Sequence, residues 1–236
     1  MPGFSGGRPL APERVRAQFG AGRGTRERGT GMNIAIVGSG RVGQALGGAW
    51  KAAGHAVTFG LREPQDEKAG QLRGSGFAVA APAEAAKGAE AILLAVPWTE
   101  IATVIEALGP LEGKILIDAT NPLTPDRDMA LGFDDSAGET VGLLAQGARV
   151  VKAFNTTGAE NMAKARDFPD RPAMFVAGDD AQAKRAVQAL AADIGFEPVD
   201  AGPLKASRYL EPMAMQWIKL AYGGMGTAFS YALVRR

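Results

Sequence analysis

Cysteine is missing from all 236 positions. Disulfides, thiolate nucleophiles and cysteine-held metals are thereby excluded, and the lack fits a cytoplasmic protein. Histidine occurs once, as His55, which leaves little for a His-based metal cluster or a His/Asp catalytic pair. Long apolar runs are missing too. The longest, residues 89–97, is the size of a strand and far short of a membrane span. An excess of one charge is also absent: the net is +1. Residues 1–31 carry six Arg and two Glu, leaving 20 basic and 23 acidic residues in the remainder. The basic surplus sits in the tail, so nothing indicates a nucleic-acid partner.

What is present is ordinary for a globular protein, with 46% hydrophobic and 22% charged residues. The length suits one α/β domain. Residues 1–31 are rich in Gly, Pro and Arg and show no apolar period. They lack the apolar centre of a secretory signal, and Glu13, Glu27 and the scarcity of Ser weigh against a transit peptide. We expect a disordered extension there, with the core, and the natural start, at Met32.

Residues 33–43 read N-I-A-I-V-G-S-G-R-V-G. A short β-branched run leads into Gly38, Gly40 and Gly43 at G-x-G-x-x-G spacing, and a helical pattern of Val42, Ala45, Leu46 and Ala49 follows at once. Strand, glycine turn and helix together predict a dinucleotide site. Gly38 permits the tight turn, Gly40 lets backbone amides approach a pyrophosphate, and Gly43 lets helix and strand pack closely.

The same alternation continues along the chain. Helices are predicted at residues 41–53, 64–72, 98–108, 139–145, 159–164 and 179–194, and strands at 55–60, 77–80, 89–96, 114–119, 149–154, 173–177 and 196–200. Residues 120–138 form a long loop. Two terminal helices are predicted at 208–222 and 225–234, separated by Gly223-Gly224. The fold class is therefore α/β, a doubly wound parallel sheet of the Rossmann type with C-terminal helices packed on it. Residues 32–236 form one domain that includes the terminal helical pair. Tyr209, Leu210, Met213, Trp217, Leu220, Met225, Phe229 and Leu233 share helical spacing. Such a face covers the sheet, forms a homodimer surface, or does both.

An NAD site usually ends its second strand in an acid that holds the ribose hydroxyls. Here that position, 17 residues past Gly43, is Gly60, and Leu61-Arg62 follows. The lost acid and the gained guanidinium favour NADP, with Lys68 as a second cation near a 2′-phosphate. His55 falls at the amino ends of the strands, whereas ligands bind at the carboxyl ends, so it is read as structural. The polar groups at carboxyl ends are Thr120, Asn121, Lys152, Asn155, Thr156 and Thr157. They suit positioning an acceptor rather than tuned proton transfer, so no catalytic residue is assigned, and Asn121 and Asn155 are positioning candidates. Hydride transfer from a nicotinamide to a flavin-like ring needs little more, because both rings carry the chemistry.

Several segments resemble the NADPH-dependent 8-hydroxy-5-deazaflavin (coenzyme F-420) reductases, related to the cytoplasmic domain of membrane metalloreductases. They are G-S-G-R-V-G at 38–43, G-L-R at 60–62, A-V-P-W at 95–98, G-D-D at 178–180, G-M-G at 224–226 and, most specifically, D-A-G-P-L-x-x-S-R at 200–208. The resemblance implies pyrophosphate contacts at Ser39, Gly40, Arg41 and Val42. It implies a 2′-phosphate site at Arg62 with Leu61 and Lys68, and a nicotinamide side at Val96, Pro97, Asn121 and Ala159. The family's deazaflavin reductases tend to have Ser or Thr where Leu61 stands, and a His where Asn155 stands. NADP(H) is the implied cofactor, and a small-molecule electron acceptor, such as 8-hydroxy-5-deazaflavin, the implied partner. The alternatives are NADPH-dependent reduction of a ferric chelate, a quinone or a C=N compound, or an NADPH sensor without turnover.

Overall fold

The computed structural model describes residues 31–236. The extension expected over 1–31 falls, apart from Gly31, outside the described residues. In chain order the elements are β1 (Asn33–Val37), α1 (Arg41–Ala52), β2 (Ala56–Gly60), α2 (Glu67–Gly74), β3 (Ala78–Ala80), α3 (Pro82–Lys87) and β4 (Ala91–Leu94). There follow α4 (Ile101–Leu108), β5 (Ile115–Asp118), α5 (Ala137–Leu144), β6 (Arg149–Lys152), α6 (Ala159–Ala163), β7 (Ala173–Gly178), α7 (Ala181–Asp193), β8 (Glu197–Gly202) and α8 (Ser207–Leu220).

Each central strand is apolar on both faces because each face meets a layer of helices. Ile34 and Ile36 of β1 join Leu46 and Trp50 of α1 and Val187 and Leu190 of α7 in one core. Ala35 and Val37, pointing the other way, join Ala85 of α3 and Ile101, Val104 and Ile105 of α4 in a second. Trp50 is fully buried, and its indole donates to Leu190 O at 3.1 Å, tying α1 to α7. Helix α3 has no counterpart among the predicted elements. Its signal is Pro82, which suits a first helical turn.

The eight strands lie in the order β3-β2-β1-β4-β5-β6-β7-β8. Strand β1 pairs in parallel with both β2 and β4, so the strand order reverses at its edge. One pairing departs from the parallel expectation, since β7 runs antiparallel to β6. The connection between them holds only the five-residue α6 and one 3-10 turn. A helix of about 7.5 Å is too short to return the chain to the far end of the sheet.

The helical pair expected at the C-terminus is corrected. Helix α8 ends in a π turn, Ala221–Met225. Gly224 and Gly226 then adopt φ values of 118° and 76°, and no helix follows. Instead the Tyr231 carbonyl accepts from Ala173 N at 2.7 Å, and Asn161 Nδ2 donates to the carbonyls of Thr227 and Phe229. Trp217 Nε1 also donates to Phe229 O, and the Trp217 and Phe229 rings stack at 5.2 Å. Side chains of the domain thus claim carbonyls that a helix would have used internally. Of the apolar face predicted from spacing, Leu210 and Trp217 are buried, whereas Tyr209 and Met225 stay exposed.

Candidate active site

At the carboxyl end of β1, where the strand order reverses, the crevice of an open α/β sheet is expected. The three fingerprint glycines behave differently there. Gly38 has φ 109°, and a Cβ on it would overlap the Ala95 carbonyl oxygen. A Cβ on Gly43 would overlap Gly38 O, so that glycine serves the packing of α1 on the turn. Around Gly40 nothing lies within 4 Å of the Cβ position, and the residue is open to solvent at the N-cap of α1. Two glycines make the turn possible and the third leaves a space. That space faces free helix N–H groups and the positive end of the helix dipole.

An open cleft of about 720 Å³ runs from this turn past the end of β2. Gly38, Ser39, Gly40, Leu61, Arg62, Lys68, Val96 and Pro97 all line it. Gly60 is crowded by Pro82 Cα, which would lie 3.2 Å from a Cβ, so the missing acid has little room in any case. Leu61 presents little side chain, being buried in the core. Arg62 is exposed and pairs with Glu100 Oε2 at 3.3 Å. Asp66 also lines this end, and its carboxylate caps α2 by accepting from Ala69 N at 2.7 Å.

A second cleft of about 440 Å³ shares the wall Ala95, Val96 and Pro97 with the first. Its other sides are Val42, Trp98, Thr99, Ala119, Thr120, Asn121 and the loop residues Leu123, Thr124 and Pro125. Asn121 is held by a reciprocal amide pair. Its Nδ2 donates to Asn155 O and its Oδ1 accepts from Asn155 Nδ2, both at 3.1 Å. Asn155 Nδ2 donates to Leu210 O as well. The preceding Phe154 takes φ 60°, a left-handed conformation rare for a bulky residue, while its ring packs edge-on against Trp50.

Other expected positions fall elsewhere. Arg41 points across to Glu160 of α6 and forms an ion pair with it. Ala159, beside Glu160, lines neither cleft. Lys152, one of the polar groups at a strand's carboxyl end, is corrected to a structural role. It is fully buried, and its Nζ donates to Asp118 Oδ2 at 2.9 Å, Glu211 Oε1 at 2.8 Å and Thr120 O at 2.7 Å. Burial alone would push this ammonium down, but the two carboxylates outweigh it and hold its pKa above the ordinary lysine value. Glu211 also accepts from Ala137 N and Gly138 N at the start of α5. The buried charges thus brace β5, β6, α5 and α8 beneath the second cleft. His55 is buried: Nδ1 accepts from Met32 N, and Nε2 lies 3.2 Å from Asp193 Oδ2.

The C-terminal motif is scaffold too. Asp179 accepts from Leu204 N, Ser207 Oγ donates to Leu204 O, and Arg208 forms a bidentate pair with Glu139 at 2.7 and 2.8 Å. The Arg208 guanidinium holds the Glu139 carboxyl below its usual range. Among the described residues no helix is long and apolar enough to cross a membrane, and no group of three potential ligands could hold a metal ion.

A family model described as NADP oxidoreductase coenzyme F420-dependent matches residues 33–122. The F420-dependent NADP reductase of Methanothermobacter marburgensis is 31% identical over 212 residues, spanning 80% of this chain and 92% of that protein. The chain belongs to this family. The metalloreductase STEAP3 of Rattus norvegicus is 28% identical over 209 residues, which is 86% of this chain but 42% of that protein. The chain thus spans about two fifths of the length of that relative. The crystal structure of a candidate F420-dependent NADP reductase from Arthrobacter sp. FB24 superposes with a TM-score of 0.80 at 31% identity, covering 87% of this chain and all of the other.

As a family member the chain is an NADP-dependent oxidoreductase. Its first cleft fits such a cofactor. At Gly40 the Cβ direction is open, and Arg62 and Lys68 line the cleft where no acid closes the second strand. Residues absent from the sequence-level assignment also enter the walls, notably Trp98, Thr99, Glu100 and Thr103. The cue for them was local: Trp98 ends the A-V-P-W that follows β4, one strand from the fingerprint, and the others come directly after it.

Proposed function

We propose that this enzyme moves a hydride between NADP(H) in the first cleft and a deazaflavin, or another flavin-like ring, in the second. The lining of the second cleft carries the reading: it holds aliphatic, Trp, Pro, Thr and Asn side chains and no group that titrates near neutrality. Ring-to-ring hydride transfer asks a protein for contact and orientation. Reduction of C=O or C=N would call for a proton donor as well. In this reading Ser39, Gly40, Arg41 and Val42 attend the diphosphate, with Gly38 and Gly43 shaping the turn. Arg62 and Lys68, beside Leu61, attend the 2′-phosphate. Val96 and Pro97, in the wall shared by the two clefts, border the nicotinamide with Asn121 beside them, Asn155 positions Asn121, and Ala159 lies outside both clefts. The F420-dependent activity for which the Methanothermobacter relative is named supports a deazaflavin acceptor.

An NADPH-oxidation assay against 8-hydroxy-5-deazaflavin, FMN, ferric chelates and quinones tests the assignment. Turnover is expected with the deazaflavin and weaker turnover with other flat rings. Turnover confined to ferric chelates would sink it in favour of the chemistry named for the rat relative. The enzyme is further proposed to be a homodimer through the exposed Tyr209, Tyr222 and Met225 around α8, with cytoplasmic residence. A monomeric mass in solution at micromolar concentration would remove the dimer.

A further inference from the structure

The adenosine end of the first cleft has an unusual charge balance for a site offered to a phosphate. Arg62 and Lys68 share the walls with three carboxylates, Glu63, Asp66 and Glu100. Asp66 is engaged in capping α2, and no salt bridge joins Glu63 among the described residues. Glu100 is different. It lies across the cleft from Arg62, at the N-cap of α4, and its Oε2 meets the guanidinium at 3.3 Å. The pair is solvent-accessible, with side-chain exposures of 70% for Arg62 and 40% for Glu100, so both groups are free to exchange partners.

We propose that Glu100 is a specificity-determining residue: it is the resident counter-anion of Arg62, and it restrains the enzyme's preference for NADPH over NADH. The inference rests on the assignment of Arg62 to the 2′-phosphate. A 2′-phosphate offers a guanidinium two or more charged oxygens and displaces the single carboxylate contact. Binding NADPH therefore breaks an existing ion pair and brings a near-dianion beside the freed Glu100. Binding NADH leaves the pair in place, and its ribose hydroxyls meet a carboxylate able to accept from them. Glu100 thus acts against one cofactor and is neutral or favourable toward the other.

The experiment is equilibrium binding of NADPH and NADH, followed by quenching of tryptophan fluorescence, to wild type, Glu100→Gln, Arg62→Ala, the double variant and Glu63→Gln. Glu100→Gln should tighten NADPH roughly three- to fivefold, the fold-change an exposed ion pair is worth. It should leave NADH unchanged or weaker, and the NADPH gain should vanish in the Arg62→Ala background. Raised salt should shrink the gain. Unchanged or weaker NADPH binding in Glu100→Gln, with Arg62→Ala still costing affinity, overturns the role of Glu100 and leaves Arg62 standing. An Arg62→Ala variant that binds NADPH like wild type overturns the Arg62 assignment and this inference with it. Equal tightening by Glu63→Gln, or equal tightening of NADH, would reduce the effect to bulk charge and overturn the proposal.

Discussion

Gly38 and Gly40 stand two residues apart and carry opposite constraints. At Gly38 any side chain meets the Ala95 carbonyl, and φ 109° is a conformation that L residues rarely adopt. Gly38→Ala should therefore destabilise the fold by about 2 kcal/mol or more. At Gly40 the backbone is extended and the Cβ direction open, so Gly40→Ala should leave stability within about 0.5 kcal/mol. Its methyl group would project into the proposed diphosphate space, and NADPH affinity should fall roughly tenfold, about 1.4 kcal/mol. Thermal melts paired with NADPH titrations separate the two effects. Wild-type affinity in Gly40→Ala would contradict the backbone cradle. All three glycines were legible in the sequence, because their spacing after a strand encodes the turn itself. The division of labour among them was not, since it depends on Ala95, more than fifty residues away.

Among the elements, the brace beneath the second cleft depends on one lysine. Lys152→Met would leave Asp118 and Glu211 buried without their cation, and such a break costs about 3–5 kcal/mol. Chemical denaturation should show that loss together with weaker acceptor binding, because Lys152 also holds Thr120 O beside Asn121. A variant as stable as wild type would mean that the carboxylates had found other partners. The same group sets an alkaline limit. Its folded pKa lies above the unfolded value of 10.5, so its contribution is complete below that pH and is lost as pH rises through the folded value. Stability measured against pH should carry no term from Lys152 between pH 7 and 9 and decline above pH 10.5. In the sequence Lys152 is only a polar residue at a strand end. Nothing local places Glu211, 59 positions later, within 2.8 Å of it.

For the molecule as a whole, the last ten residues close the fold without regular structure. They satisfy Asn161 and the Trp217 indole, and they supply a carbonyl to the start of β7. A chain ending at Gly226 should melt at least about 5 °C lower, as expected for losing several part-buried hydrogen bonds and a stacked aromatic pair. Unchanged melting would show that this segment contributes nothing to the domain. Helical spacing of Phe229 and Leu233 predicted a helix here, yet left-handed Gly226 and buried donors elsewhere in the domain drew the backbone out of one.

The sequence by itself determined the alternation of strands and helices, the strand–glycine–helix turn, the absent acid at Gly60 and the place of His55 at the amino ends of the strands. Each of these is written in residues close together along the chain, where periodicity and backbone sterics act. Only the tertiary structure settled the antiparallel β7, the buried Asp118–Lys152–Glu211 brace, the unwound terminus and the Glu100 carboxylate facing Arg62. These arise where distant segments compete for the same buried volume, the same hydrogen-bond donors or the same charge, and local pattern carries no record of that competition.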